Sequence, residues 1–129
     1  MIANNSRTIT GPEDLRRRTK EFALRIIKLF RALPKTEEAR ILGRQVLRSG
    51  TAVAANYRSA CRARSRADFI SKIGITVEEA DETAFWLELM ADAGVFKKSK
   101  LESLLAEASE LVRIFQASRT TARRGIGDL

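Results

Sequence analysis

Apolar residues recur at alternating spacings of three and four along four stretches of this chain, the period of amphipathic α-helices. The first stretch runs from about Glu13 to Leu33. Its stripe is Leu15, Thr19, Phe22, Ile26, Leu29 and Leu33, widened by Ala23, Ile27 and Phe30, so this helix is expected to touch more than one neighbour. Thr10 with Glu13 reads as a capping box, Pro12 suits the first turn, and Pro34 stops the helix.

The second stretch, about Glu37 to Ala63, has Thr36 at its N-cap and an inner stripe of Ala39, Leu42, Val46, Ser49, Val53, Asn56 and Ala60. Small residues cluster at its centre: Ser49, Gly50, Ala52, Ala54 and Ala55. Gly50 costs a helix about 1 kcal/mol relative to Ala, and a close helix–helix approach accounts for its presence, with a local kink as the alternative.

The third stretch, about Arg66 to Ala93, opens on Ser65 and Asp68 as a capping pair and closes on Gly94. Its stripe is Phe69, Ile73, Thr76, Ala80, Thr83, Leu87 and Met90. The fourth, about Lys100 to Ser118, opens on Ser99 and Glu102 and turns Leu101, Leu104, Ala108, Leu111 and Phe115 inward. The residues before Arg7 and after Arg119 show no period and are expected to fray. Four helices joined by short turns predict an all-α, antiparallel up-down-up-down four-helix bundle, one domain with its ordered core over about 13–118.

Charge changes this picture, because it is segregated by helix. The net charge is +5 over residues 1–34, +6 over 35–66, −6 over 67–94 and +3 over 95–129, within a total of +8. On the second helix Arg40, Arg44, Arg48, Arg58, Arg62 and Arg66 share a narrow sector nearly opposite the inner stripe. On the third, Glu78, Asp81, Glu82, Glu88 and Asp92 point away from the core, with Phe85 among them and Trp86 on the flank. One reading is two solvated faces. The favoured reading is a subunit interface in which Arg44, Arg48 and Arg58 of one copy meet Glu78, Asp81, Glu82, Phe85 and Trp86 of another, since Arg holds carboxylates in a planar fork.

The positive excess also fits an anionic partner. Candidate nucleic-acid contacts are Arg16, Arg17, Arg18 and Lys20 at the start of the first helix, and Arg58, Arg62, Arg64 and Arg66 around the second turn. With few aromatics and no RNA-recognition signature, such binding would be to phosphate, salt-dependent and weakly sequence-specific. The polar residues Ser49, Asn56, Thr76 and Thr83 face the bundle centre, and Asn56 is expected to bond across the seam between the second and third helices.

The composition argues against catalysis. The chain has no His, which removes the usual general base, the Ser-His and Cys-His dyads, and most zinc and di-iron sites. No phosphate-cradling glycine loop occurs. Cys61 is the sole cysteine, so no internal disulfide forms, and a small packed residue is the expectation for it. No catalytic residue, metal site or cofactor is therefore assigned. No apolar run reaches the ~20 residues of a membrane span. The first residues lack the pattern of a signal peptide, so a cytoplasmic protein without membrane contact is expected.

Several segments carry a family resemblance: Phe22 to Leu29, Leu33 to Thr36, Arg48 to Thr51, Ala55 to Arg58, Asp68 to Ile73 and Glu79 to Thr83. Over about residues 15–117 the chain resembles the bacterial four-helix bundle proteins related to those encoded in 23S ribosomal RNA intervening sequences. It is also similar to the accessory variability determinant proteins of diversity-generating retroelements. The resemblance implies a ring-like homopentamer, a basic body that binds nucleic acid and a protein partner such as a reverse transcriptase; no enzymatic activity is established for the family. Ala54 and Ser59 stand where the family pattern favours Gly and Glu, and Phe85 where Tyr is common. The expectation is a non-enzymatic, homo-oligomeric bundle, pentameric by resemblance, whose basic surface binds RNA or DNA. The alternative is a protein-interaction scaffold without nucleic acid, such as an accessory subunit of a larger complex.

Overall fold

The computed structural model describes residues 11–127. These form four helices: α1 Pro12–Ala32, α2 Glu37–Cys61, α3 Arg66–Asp92 and α4 Lys98–Gly127. No strand occurs among the described residues.

Capping chemistry sets most of the boundaries. Gly11 takes the N-cap of α1 without a side-chain bond, and Thr10, the expected cap, lies outside the described residues. Thr36 Oγ1 accepts the Ala39 N–H at 3.3 Å, and Ser65 Oγ accepts the Asp68 N–H at 3.1 Å. Asp68 returns its carboxylate to the Arg64 N–H at 3.1 Å, one residue before the cap. α3 ends in a Schellman motif: Val95 N–H reaches Met90 O at 3.0 Å and Gly94 N–H reaches Ala91 O at 3.2 Å. Gly94 has φ of 70°, a backbone angle that costs any residue with a Cβ.

Both ends of α4 differ from the sequence expectation. Ser99 is the second residue of the helix rather than its cap, and Leu101 N–H bonds Lys97 O at 3.2 Å. At the other end the helix does not stop near Ser118 but continues to Gly127. The physical reason is tertiary: the half-buried Arg119 lays its guanidinium against Gly74 of α3, and the Arg66 guanidinium packs against Gly125. Contacts from another helix hold a segment whose own pattern carries no amphipathic period.

One continuous apolar cluster joins all four helices. The expected stripes of α1, α3 and α4 are buried, save that Phe69 is half-buried. On α2 the buried set is Ala39, Gly43, Val46, Ser49, Gly50, Val53, Tyr57 and Ala60, with Leu42 and Asn56 only half-buried. The stripe is thus rotated toward α1, because glycines permit close contact there. A Cβ on Gly50 would stand 2.8 Å from Ile26 Cγ1, and one on Gly43 would stand 2.6 Å from Leu33 Cδ1. α2 runs as unbroken helix through Gly50, so close approach is the role of that residue.

The centre of the bundle is polar as well as apolar. Thr83 and Ser49 hydroxyls meet across the α2–α3 seam at 2.8 Å, and each also lies within reach of a carbonyl four residues back. Asn56 does not cross that seam. Its amide donates to Ala52 O at 2.8 Å within α2, and the local i−4 acceptor serves this half-buried side chain. Tyr57, absent from the expected stripe, is buried and stacks on Phe115 of α4 with ring centroids 5.4 Å apart. α1 packs on α2, α2 on α3 and α3 on α4, while α1 and α4 share a much narrower seam.

Candidate nucleic-acid and subunit interfaces

The basic run at Arg16-Arg17-Arg18 is divided by the fold into three different environments. Arg17 pairs with Asp14 one turn back at 3.2 Å and is well exposed. Arg18 turns toward α4. Its Nε and Nη2 hold Glu107 at 2.7 and 2.8 Å, and Nη2 lies 3.1 Å from Glu110. These acids hold the Arg18 proton above the usual arginine range, with the Glu107 hydrogen bond as the largest cause. Arg18 therefore closes the α1–α4 seam, helped by Arg25, which donates to Ser103 Oγ at 2.7 Å.

Arg16 and Lys20 point the other way, toward α2. They wall a groove of about 690 Å³ whose opposite wall is Arg58 and Arg62, with Thr51, Ala54, Ala55 and Cys61 along α2. No carboxylate among the described residues lines this groove. None of its four cations makes an ion pair among the described residues. Arg64 and Arg66 lie elsewhere. Arg64 is exposed at the α2–α3 turn, and Arg66 lines a separate cleft between α3 and α4 with Phe69 and Ile114.

The candidate subunit residues are divided as well. Arg48 bonds Glu79 at 3.3 Å and also Glu82, so basic α2 and acidic α3 meet here within one chain. Trp86 Nε1–H donates to Glu82 at 3.0 Å. These bonds, Trp86 first and Arg48 second, hold the Glu82 carboxyl below its ordinary value of 4.5. Glu78, Asp81 and Arg44 stay exposed and make no ion pair among the described residues. Phe85 is 52% exposed and meets the half-buried Trp86 edge-on at 5.0 Å. Ile75 and Leu89 on the same helix are also exposed, so α3 presents apolar side chains among acids on its outer side.

Charge counting shows the opposition of α2 and α3 but not which pairs form internally. Nor does it separate Arg16 from Arg18. That division follows from where each neighbouring helix places its acids: α4 carries Glu107 and Glu110, and the adjacent part of α2 carries none. One signal was available in the sequence. Arg16 and Lys20, like Arg58 and Arg62, stand four apart, beside the small Ala54 and Ala55. Among the described residues no group of three or more potential metal-ligating side chains occurs, and no helix is long and apolar enough to cross a membrane.

These features define a four-helix bundle with an unpaired cationic groove on one side and an acidic, partly apolar helix face on another. The model of the 23S rRNA-intervening sequence protein family matches residues 14–117, and the chain belongs to that family. It is also similar to a crystal structure from Bacteroides thetaiotaomicron VPI-5482, a protein of unknown function from the S23 ribosomal protein family. The two share 34% identity over 84% of this chain and 97% of that one, with a TM-score of 0.78. No curated protein matches the chain.

Proposed function

We propose that this protein is a non-enzymatic, cytoplasmic, homo-oligomeric bundle whose exposed cations bind nucleic acid, RNA foremost. The observation that carries this reading is the groove between α1 and α2. Four exposed cations line it, no acid among the described residues neutralises them, and a cluster of cations left unpaired favours an anionic occupant. Phosphate, presented by every nucleotide, is the anion that Arg recognises through paired N–H donors. Binding of this kind is electrostatic and largely independent of sequence.

A mobility-shift titration on RNA and DNA across a salt series tests it. The expected result is a shift at about 50 mM salt that weakens steeply by about 200 mM, with affinity falling linearly on a log–log scale. No shift at low salt on either nucleic acid overturns the reading.

Assembly is the second part of the proposal: an antiparallel up-down-up-down bundle forming a ring-like pentamer. The contact order supports the helix directions, because Ile26 meets Gly50 while Phe30 meets Gly43, and Gly74 meets Arg119 while Arg66 meets Gly125. Exposed Phe85, Ile75 and Leu89 among unpaired acids on α3 favour a protein-covered face. A second chain bringing Arg44 is the partner that matches that charge. The same face fits a different protein partner, and sedimentation equilibrium at tens of micromolar separates the two. A mass of several chains supports self-assembly, and a strict monomer ends it.

A further inference from the structure

We infer that the α1–α2 groove is a two-phosphate clamp, a site for consecutive phosphates rather than for a single anion. The inference deepens the nucleic-acid reading and rests on the same groove. Each wall carries its cations four residues apart, Arg16 and Lys20 on α1, and Arg58 in the last turn of α2 with Arg62 at its C-cap. Four residues of helix rise about 6 Å, so each wall presents two positive centres separated along the groove rather than one focus. The α1 wall lies against α2, since Arg16 shares one lining with Arg58 and Arg62 and a neighbouring one with Tyr57 and Ala60. Two cations therefore face two across the gap, which matches an anion carrying its charge at two linked centres.

The floor is shaped for such a guest. Ala54 and Ala55 contribute only methyl groups, which leaves the space open. Thr51 has its hydroxyl proton engaged by its own helix, at 2.8 Å from Leu47 O, so recognition falls to the four cations. The chemistry recognised is a pair of linked phosphates. It comes either from adjacent phosphodiesters of a nucleic-acid strand or from a free diphosphate.

Cys61 provides the readout, because it lines the same groove and is the only cysteine in the chain. Its alkylation by iodoacetamide is followed with inorganic pyrophosphate, with orthophosphate at matched ionic strength, and with a short single-stranded RNA. A clamp predicts that RNA, pyrophosphate or both slow alkylation by about fivefold or more at saturation, while orthophosphate slows it less than twofold. Exposed Ala55 supplies the control pair. Ala55→Glu places a carboxylate among the cations and should abolish protection, whereas Ala55→Gln has nearly the same bulk and should preserve it. Helical circular dichroism confirms that both variants fold.

Protection by RNA but not by pyrophosphate assigns the clamp to a nucleic-acid strand, and protection by both leaves it open to free diphosphates. Equal protection by orthophosphate and pyrophosphate overturns the two-centre site. An RNA mobility shift without Cys61 protection, and unaffected by Ala55→Glu, overturns the groove while leaving the nucleic-acid reading intact. Protection by pyrophosphate without any RNA shift does the reverse.

Discussion

Gly50→Ala tests the claim that α1 and α2 pack at backbone distance. The new Cβ would stand 2.8 and 3.0 Å from Cγ1 and Cγ2 of Ile26, well inside the ordinary carbon–carbon separation of about 3.5–4.0 Å. Ile26 has no exposed surface and is β-branched, so its γ carbons cannot swing aside by a cheap rotamer change. Overpacking of this kind costs about 1–3 kcal/mol. Opposing it, replacing Gly by Ala inside a helix gains about 1 kcal/mol. The expected net change is a loss of about 1 kcal/mol, where propensity alone predicts a gain of the same size. The sharper quantity is the coupling to Ile26→Ala. That change alone should cost about 2–5 kcal/mol as a cavity mutation. With Ala at position 50 it removes both clashing carbons, so the double mutant should be more stable than the sum of the singles by about 1–3 kcal/mol. Urea unfolding of all four proteins at one concentration measures the cycle. A stabilised Gly50→Ala, with the two changes additive to within about 0.5 kcal/mol, would refute the close approach.

Three further outcomes follow from the same contacts. Arg18→Ala should cost about 1–3 kcal/mol because it leaves Glu107 part-buried without its paired donors, whereas Arg17→Ala, on an exposed pair, should stay within about 0.5 kcal/mol; urea midpoints compare them. Gly94→Ala should lower stability by about 1–2 kcal/mol, measured the same way, because φ of 70° disfavours any Cβ. Glu82 has a folded pKa below its ordinary 4.5, so its contribution is present above that pH and is lost as the pH falls through the folded value. The urea midpoint should therefore decline on acidification below about 4.5, and Glu82→Gln should flatten part of that decline.

The periodic segments could be read directly. Leu15 to Leu33 on α1 and Leu101 to Phe115 on α4 keep one face inward for several turns, and burial follows that face. Thr36 and Ser65 announce their helices by chemistry that acts within three residues. What escaped depends on distant partners. Thr120 to Gly127 has no stripe and is helical through its contacts with α3. Tyr57 follows Asn56 and is drawn inward by Phe115 across the bundle. Ser99 offers a good cap that the helix bypasses, one turn start being as available as another in Lys97-Lys98-Ser99. At the candidate site, the cations themselves could be read from the sequence, but their partition into the α1–α4 seam, the α2–α3 ion pairs and the groove required knowing which acids lie opposite.

The narrow α1–α4 seam gives the molecule the logic of a rolled strip rather than a closed cylinder. Nearly every intimate contact joins a helix to the next one in the chain, and the strip's two free edges are fastened by Arg18 and Arg25 reaching Glu107, Glu110 and Ser103. A strip of that kind can be laid down from one end to the other with little search through distant pairings, which favours rapid folding. Its fastening is ionic and edge-on, so concentrated salt should loosen the two margins first while the sheet-like stack of neighbours between them stays intact.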